Sequence, residues 1–125
     1  KGVRLYTPPK TVAYEKRVAI CGRAAMYGRP PLPGALAVGL EIYLPIPASW
    51  PRKRQEMALR AEILPTGKPD VDNVEKAIFD ALNGICWRDD TQVVDVIKTK
   101  RYGGIPRVHV EIRPVEGEPS TRRNA

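Results

Sequence analysis

The chain is short of several things, and each shortage removes a class of protein. Among its 125 residues there are two cysteines, Cys21 and Cys86, one histidine and one phenylalanine. Two unpaired-looking cysteines do not make a disulfide scaffold; they suit a reduced, cytoplasmic setting with ordinary core thiols. One histidine with two scattered cysteines cannot supply a structural zinc site. A single histidine, His109, placed so late, also leaves no nucleophilic triad to build, and it is expected to be simply exposed. No apolar run approaches the roughly 18 residues a membrane helix needs, and no signal-peptide core opens the chain. There is no internal repeat. Lys1 is not a methionine, which leaves room for a missing or processed N-terminal piece.

What is present is enough for one small domain. Leu, Ile, Val and Phe make up about a quarter of the chain, above the ~20% below which disorder is expected. The charge is more informative. Lys and Arg number 21 against 14 Asp and Glu, a net charge of +7. Residues 1–60 carry 11 basic and 3 acidic side chains, whereas residues 61–100 carry 5 basic and 8 acidic. A basic body favours polyanions, nucleic acid first among them. An acidic island inside such a body asks for a cation.

Tyr6 to Pro9 reads as an irregular entry. A surface helix is expected from Thr11, as its cap, to about Tyr27, with Val12, Lys16, Ala19, Ile20 and Arg23 on one partly apolar stripe and Gly28 as the stop. Leu36, Val38, Leu40, Ile42 and Leu44 alternate with other residues in a half-buried strand stopped by Pro45. Trp50-Pro51 opens a short basic helix from Arg52 to about Ile63. Val74, Ala77, Ile78, Ala81, Leu82 and Ile85 recur at helical spacing and end at Asn83-Gly84. A strand from Gln92 to Lys100, apolar on both faces, is expected to be central. Val108, Val110 and Ile112 alternate in a last strand, and residues 114–125 read as a flexible tail. The expected fold is α+β: helices packed on a small mixed sheet, over residues 1–113.

The densest chemistry lies between Lys68 and Asp90. Asp70 and Asp72 stand two apart, so in an extended segment they point the same way. Asp72 and Lys76 share a helix face. A second acidic pair, Asp89-Asp90, follows where the chain returns. Two such charges 4 Å apart repel by about 4 kcal/mol at an effective dielectric near 20, so convergent aspartates need a counter-ion. Carboxylate oxygens with open positions suit Mg²⁺ or Mn²⁺, which keep waters for a phosphate to displace. Lys76 would then offset charge growing on the phosphorus centre. The plainer alternative is that Asp72 and Glu75 form a capping box and Asp89-Asp90 a solvated turn. Spacing alone leaves both open.

Three stretches carry a resemblance: Tyr6-Thr7-Pro8-Pro9-Lys10-Thr11-Val12-Ala13-Tyr14-Glu15, Lys68-Pro69-Asp70-Val71-Asp72-Asn73-Val74-Glu75-Lys76 through Asp80-Ala81-Leu82-Asn83-Gly84, and Trp87-Arg88-Asp89-Asp90-Thr91-Gln92-Val93-Val94. Together they resemble the RusA family of Holliday junction resolvases, over about residues 4–113. The resemblance implies a homodimeric, Mg²⁺-dependent endonuclease that cuts four-way DNA junctions by paired nicks, in the cytoplasm of a bacterium, prophage or phage. It implies Asp70, Asp72 and Asp90 as metal ligands, Lys76 as the helix lysine, and Asp89 as a lesser candidate. Family members begin with a strand ahead of the Tyr-Thr-Pro element. This chain starts almost at that element, which implies lost residues or a sheet without one edge strand.

Arg52, Lys53, Arg54 and Lys68, with Lys98 and Lys100 on one strand face, are candidate phosphate contacts, as are Arg4, Lys10, Lys16, Arg17, Arg23 and Arg60. Such contacts carry affinity rather than sequence choice. A solvated helix face is the alternative. Trp50, Trp87, Tyr14 and Tyr43 are read as core or staple residues rather than base-stacking platforms. Two rival functions remain: a non-catalytic basic module that holds nucleic acid, and a nuclease of flaps or forks.

Overall fold

The computed structural model describes residues 2–7 and 14–116. The expected cap Thr11, the stripe residue Val12, the basic Lys10 and most of the tail lie outside the described residues. Four strands form one mixed sheet in the order β1-β4-β2-β3: β1 is Val3–Thr7, β2 Leu36–Pro45, β3 Val93–Gly103 and β4 Arg107–Pro114. β4 runs antiparallel to both β1 and β2, and β2 runs parallel to β3. Parallel neighbours cannot be joined by a hairpin. The crossover between them carries helices α2 (Arg52–Leu59) and α3 (Val71–Leu82). Helix α1 (Tyr14–Met26) packs against α3 and β1. This is the α+β fold that the alternation of periods predicts.

The core forms where period 2 meets period 3.6. Leu36, Val38, Leu40 and Ile42 of β2 and Val108, Val110 and Ile112 of β4 are buried on the helix side of the sheet. Val74, Ile78, Phe79 and Leu82 of α3 and Val18 and Met26 of α1 meet them there. Trp87 is fully buried and sets its indole edge-on to Phe79, 5.3 Å between centroids. Trp87 and the buried Tyr14 are therefore core residues, as expected. Cys86 is buried and Cys21 half-buried, both free thiols. Burial pushes the Cys86 thiol up to about 11.

Several expectations need correction. Tyr6 and Thr7 are not irregular: they close a strand, Val3–Thr7, in which Val3 and Leu5 are buried against β4; Pro8 and Pro9 lie outside the described residues. Among the described residues β1 is the outer strand on that side. The buried face of α1 is Tyr14, Val18, Gly22 and Met26, a four-residue spacing, and Lys16, Ile20 and Arg23 face solvent. The central strand is β2, between β4 and β3. β3 is an edge, and its apolar residues on two faces mean exposure: Val94 is 57% and Ile97 72% exposed. α2 ends at Leu59 rather than near Ile63, because Ala61 takes a positive φ of 62°. Pro114, expected to open the tail, closes β4, and the Val115 amide donates to the Ala35 carbonyl at 2.9 Å; residues 117–125 lie outside the described residues. His109 does alternate away from the core, yet it is not simply exposed. Its ring stacks on Tyr6 at 4.5 Å and its Nδ1 pairs with Glu41 Oε1 at 3.0 Å.

At Gly22 α1 and α3 approach closely: a Cβ there would meet Leu82 Cδ2 at 2.5 Å. Gly22→Ala is expected to destabilise the fold by about 1–3 kcal/mol through overpacking. Urea denaturation checks this, as a lower midpoint with an unchanged slope.

Candidate active site

The acidic island assembles at the start of α3. Asp70 is the N-cap, in extended conformation (φ −69°, ψ 142°), and its carboxylate makes no capping hydrogen bond. Acidic side chains are favoured there by the helix dipole, so the site costs the helix nothing locally. Asp72 is not the cap: it is the second helical residue, and its carboxylate turns to the sheet. Lys98 of β3 donates to Asp72 Oδ1 at 2.8 Å and also to Glu75 Oε1. The capping-box alternative at Asp72 is thereby displaced by a cross-element ion pair. The Lys98 ammonium holds the Asp72 carboxyl below the usual carboxylate range, and Asp72 and Glu75 together hold the Lys98 amine above its own.

One pleat further along β3, Lys100 reaches the loop that leads into α3. Its ammonium donates to the carbonyls of Gly67 (2.6 Å) and Pro69 (3.1 Å). Lys98 and Lys100 do share a strand face, as their spacing predicts, and both ammonium groups are engaged within the protein. Lys76 is exposed one turn after Asp72 and makes no ion pair among the described residues. Lys68 is exposed at a cavity of about 440 Å³ that Asn73, Tyr102 and Arg107 also line.

Asp89 and Asp90 behave differently from each other. Asp89 belongs to a local turn, accepting from the Thr91 hydroxyl at 3.0 Å, and Gln92 Oε1 caps the amides of Arg88 and Asp89. The turn reading holds for Asp89. Asp90 is half-buried and faces Asn83 Nδ2 at 3.5 Å, while Asn83 Oδ1 accepts the Trp87 indole N–H at 2.7 Å. Asn83 stands just past the last residue of the 12-residue helix α3. At 1.5 Å per residue α3 spans about 18 Å, and Asp90 lies beside Asn83 at the opposite end from Asp70. Within one chain the structure gathers Asp72 with Glu75 and leaves Asp90 at the far end of α3. Among the described residues, no three His, Cys, Asp or Glu side chains are close enough to hold a metal ion.

Basic side chains of α2 and β4 lie against aromatic rings. α2 packs on β3, and Trp50, just before it, meets Tyr102 edge-on at 5.4 Å. Arg54 lies 4.1 Å over the Trp50 ring, Arg52 pairs loosely with Glu56 at 3.7 Å, and Lys53 is exposed. Tyr43 likewise carries Arg107 over its ring at 4.0 Å. Elsewhere Arg4 pairs with Glu111 and Arg60 with Glu62, and Lys16, Arg17 and Arg23 face solvent on α1.

Two site residues escaped the sequence reading. Glu75 was legible only as half of a capping box, although its place three residues after Asp72 puts both on one face. Asn83 was legible only as a helix stop; nothing local announces that it holds both Trp87 and Asp90.

Two carboxylates and an ammonium thus gather at the start of α3 in a chain of net charge +7. The sequence profile described as Endodeoxyribonuclease RusA matches residues 1–113, and the chain belongs to the RusA family, a family of endodeoxyribonucleases. The chain is also 38% identical over 117 residues to the uncharacterized protein YqaN of Bacillus subtilis (strain 168), a match that spans 90% of this chain and 80% of that one. No helix among the described residues is long and apolar enough to cross a membrane.

Replacing Asn83 with alanine would leave the buried Trp87 indole N–H without its acceptor. Asn83→Ala is expected to cost about 1–3 kcal/mol, read as a fall in the chemical-denaturation midpoint, with the Trp87 fluorescence shifting as its environment loosens.

Proposed function

We propose that this chain is a Mg²⁺-dependent, structure-selective endonuclease that resolves four-way DNA junctions by paired symmetric nicks, in recombination and repair, and that it acts as a homodimer. The observation that carries this reading is the acidic first turn of α3, held around a cation position, in a chain that belongs to the RusA family. The donor chemistry fits the metal. Mg²⁺ binds through one or two carboxylates and keeps waters for a phosphate to replace, and Asp72 already shares one cation with a neighbouring carboxylate.

Asp70 and Asp72 would hold the ion, with Mn²⁺ able to substitute. A bound Mg²⁺ supplies Lewis-acid polarisation of the scissile phosphate and an acidified water as nucleophile. The chain's own residues do the rest. The carboxylates orient the attacking water in line with the leaving oxygen. Lys76, exposed on the same helix face as Asp72, places an ammonium against the charge that develops on the phosphoryl oxygens. Arg52, Lys53, Arg54 and Lys68 hold the flanking phosphates and set the register of the DNA. The products are 5′-phosphate and 3′-hydroxyl ends.

The third aspartate calls for a second copy. Asp90 cannot bridge about 18 Å along α3, so it joins the pair only as Asp90 of the partner subunit. The free edge of β3 begins three residues after Asp90 and exposes Val94 and Ile97. Antiparallel pairing of two such edges about an axis near Val94 and Asp95 sets Asp90 of the partner subunit level with Thr99, beside Lys98 and Lys100. A two-fold dimer then offers one site to each of two opposing strands of a near-symmetric junction.

The test is cleavage of a labelled four-way junction, with flap and fork DNA alongside, in Mg²⁺ or EDTA. The expected result is paired nicks in the junction that vanish with EDTA and with Asp70→Asn, while junction binding survives. Binding without products in every lane identifies a non-catalytic module; preferred cutting of flaps or forks identifies a different nuclease. Mixing Asp70→Asn with Asp90→Asn protein is expected to restore single nicks, because mixed dimers hold one intact site. No restoration would contradict the shared site.

A further inference from the structure

Lys98 does more than line a groove. It projects from β3 on the helix-covered face of the sheet, its side chain only 29% exposed, and its ammonium is shared between Asp72 on the second residue of α3 and Glu75 one turn on. Those two carboxylates lie three apart on one helix face, where like charges repel. The lysine that holds them together comes from a different element, so the sheet fixes where the positive charge sits. Lys100, its neighbour on the same face, donates to the carbonyls of Gly67 and Pro69, and Lys68 and Lys76 are exposed. Among the described residues, Lys98 is the lysine that pairs with the carboxylates of α3.

We propose that Lys98 is a tethered counter-ion: it keeps Asp72 and Glu75 gathered when no divalent ion is present, and it must leave Asp72 before a divalent ion can bind there. The inference rests on the reading of Asp72 as a metal ligand given above. Lys98 already holds Asp72 Oδ1, and an ammonium and a divalent ion side by side on one carboxylate repel. Binding of the ion is thus reduced by the fraction of protein in which Lys98 still holds the carboxylate. The four-carbon stem lets the displaced ammonium swing outward without disturbing β3. The device holds the carboxylates in place in the free protein and weakens idle metal loading. The phosphates of bound DNA then provide both ligands for the ion and a new partner for the released lysine.

Mn²⁺ binding to the DNA-free protein, followed by titration calorimetry, tests this without reference to cleavage. Lys98→Met is expected to bind Mn²⁺ about tenfold more tightly than the unaltered protein, within the usual range of coupling between two sites. Arg113→Met, which removes the same charge from an exposed position of β4 on the side away from the helices, is expected to leave the affinity unchanged. Equal or weaker binding by Lys98→Met would overturn the proposal. Should that variant fail to fold, the Nζ and Cε resonances of Lys98 in the unaltered protein decide: a shift on adding Mg²⁺ supports displacement, and no shift at saturation refutes it. Mg²⁺-dependent junction cleavage with no gain in Lys98→Met would sink this inference alone. If neither protein binds Mn²⁺ and neither cuts DNA, the metal-site reading falls with it.

Discussion

Helix α3 is a rod of fixed length tied down at both ends, and the rest of the site follows from that. At its start, Lys98 and Lys100 reach from β3 to Asp72, Glu75 and the carbonyls of the entering loop. At its end, Asn83 bonds the buried Trp87 and faces Asp90. Twelve helical residues stand between the two anchor points. Neither anchor can move toward the other without breaking the helix, so Asp70 and Asp90 are held apart in one chain. On the reading proposed above, a centre that uses all three aspartates would be built by two chains.

Electrostatics reinforces the same layout. The acidic first turn of α3 sits in a chain of net charge +7. A net positive charge attracts polyanions, and the carboxylates mark a place where a phosphate can approach only with a cation between. Lys98 is that cation in the free protein. The aromatic rings of Trp50 and Tyr43 are covered by Arg54 and Arg107 rather than offering open platforms for bases.

Much of this was legible from sequence where a pattern is local. The strand β4 followed from Val108, Val110 and Ile112, and the end of α3 from Asn83-Gly84. The acidic island and the basic helix were visible as charge. What was hidden depends on neighbours far along the chain. Val94 and Ile97 look like the interior of a sheet because apolar residues on both faces have two causes, burial and an unpaired edge, and alternation cannot separate them. Val3 and Leu5 make a strand only because Val110 and Ile112, more than a hundred residues later, pair with them. Asp72 resembled a cap until Lys98, 26 residues on, claimed its carboxylate.

The account stands on where a divalent ion sits. Crystals of the protein grown with Mn²⁺ and examined by anomalous scattering measure this directly. The account predicts one manganese per chain, about 2.1 Å from carboxylate oxygens of Asp70 and Asp72, with the Lys98 ammonium moved off Asp72 and Asp90 of the partner subunit completing the shell. Manganese bound elsewhere, with Lys98 still on Asp72, would contradict it.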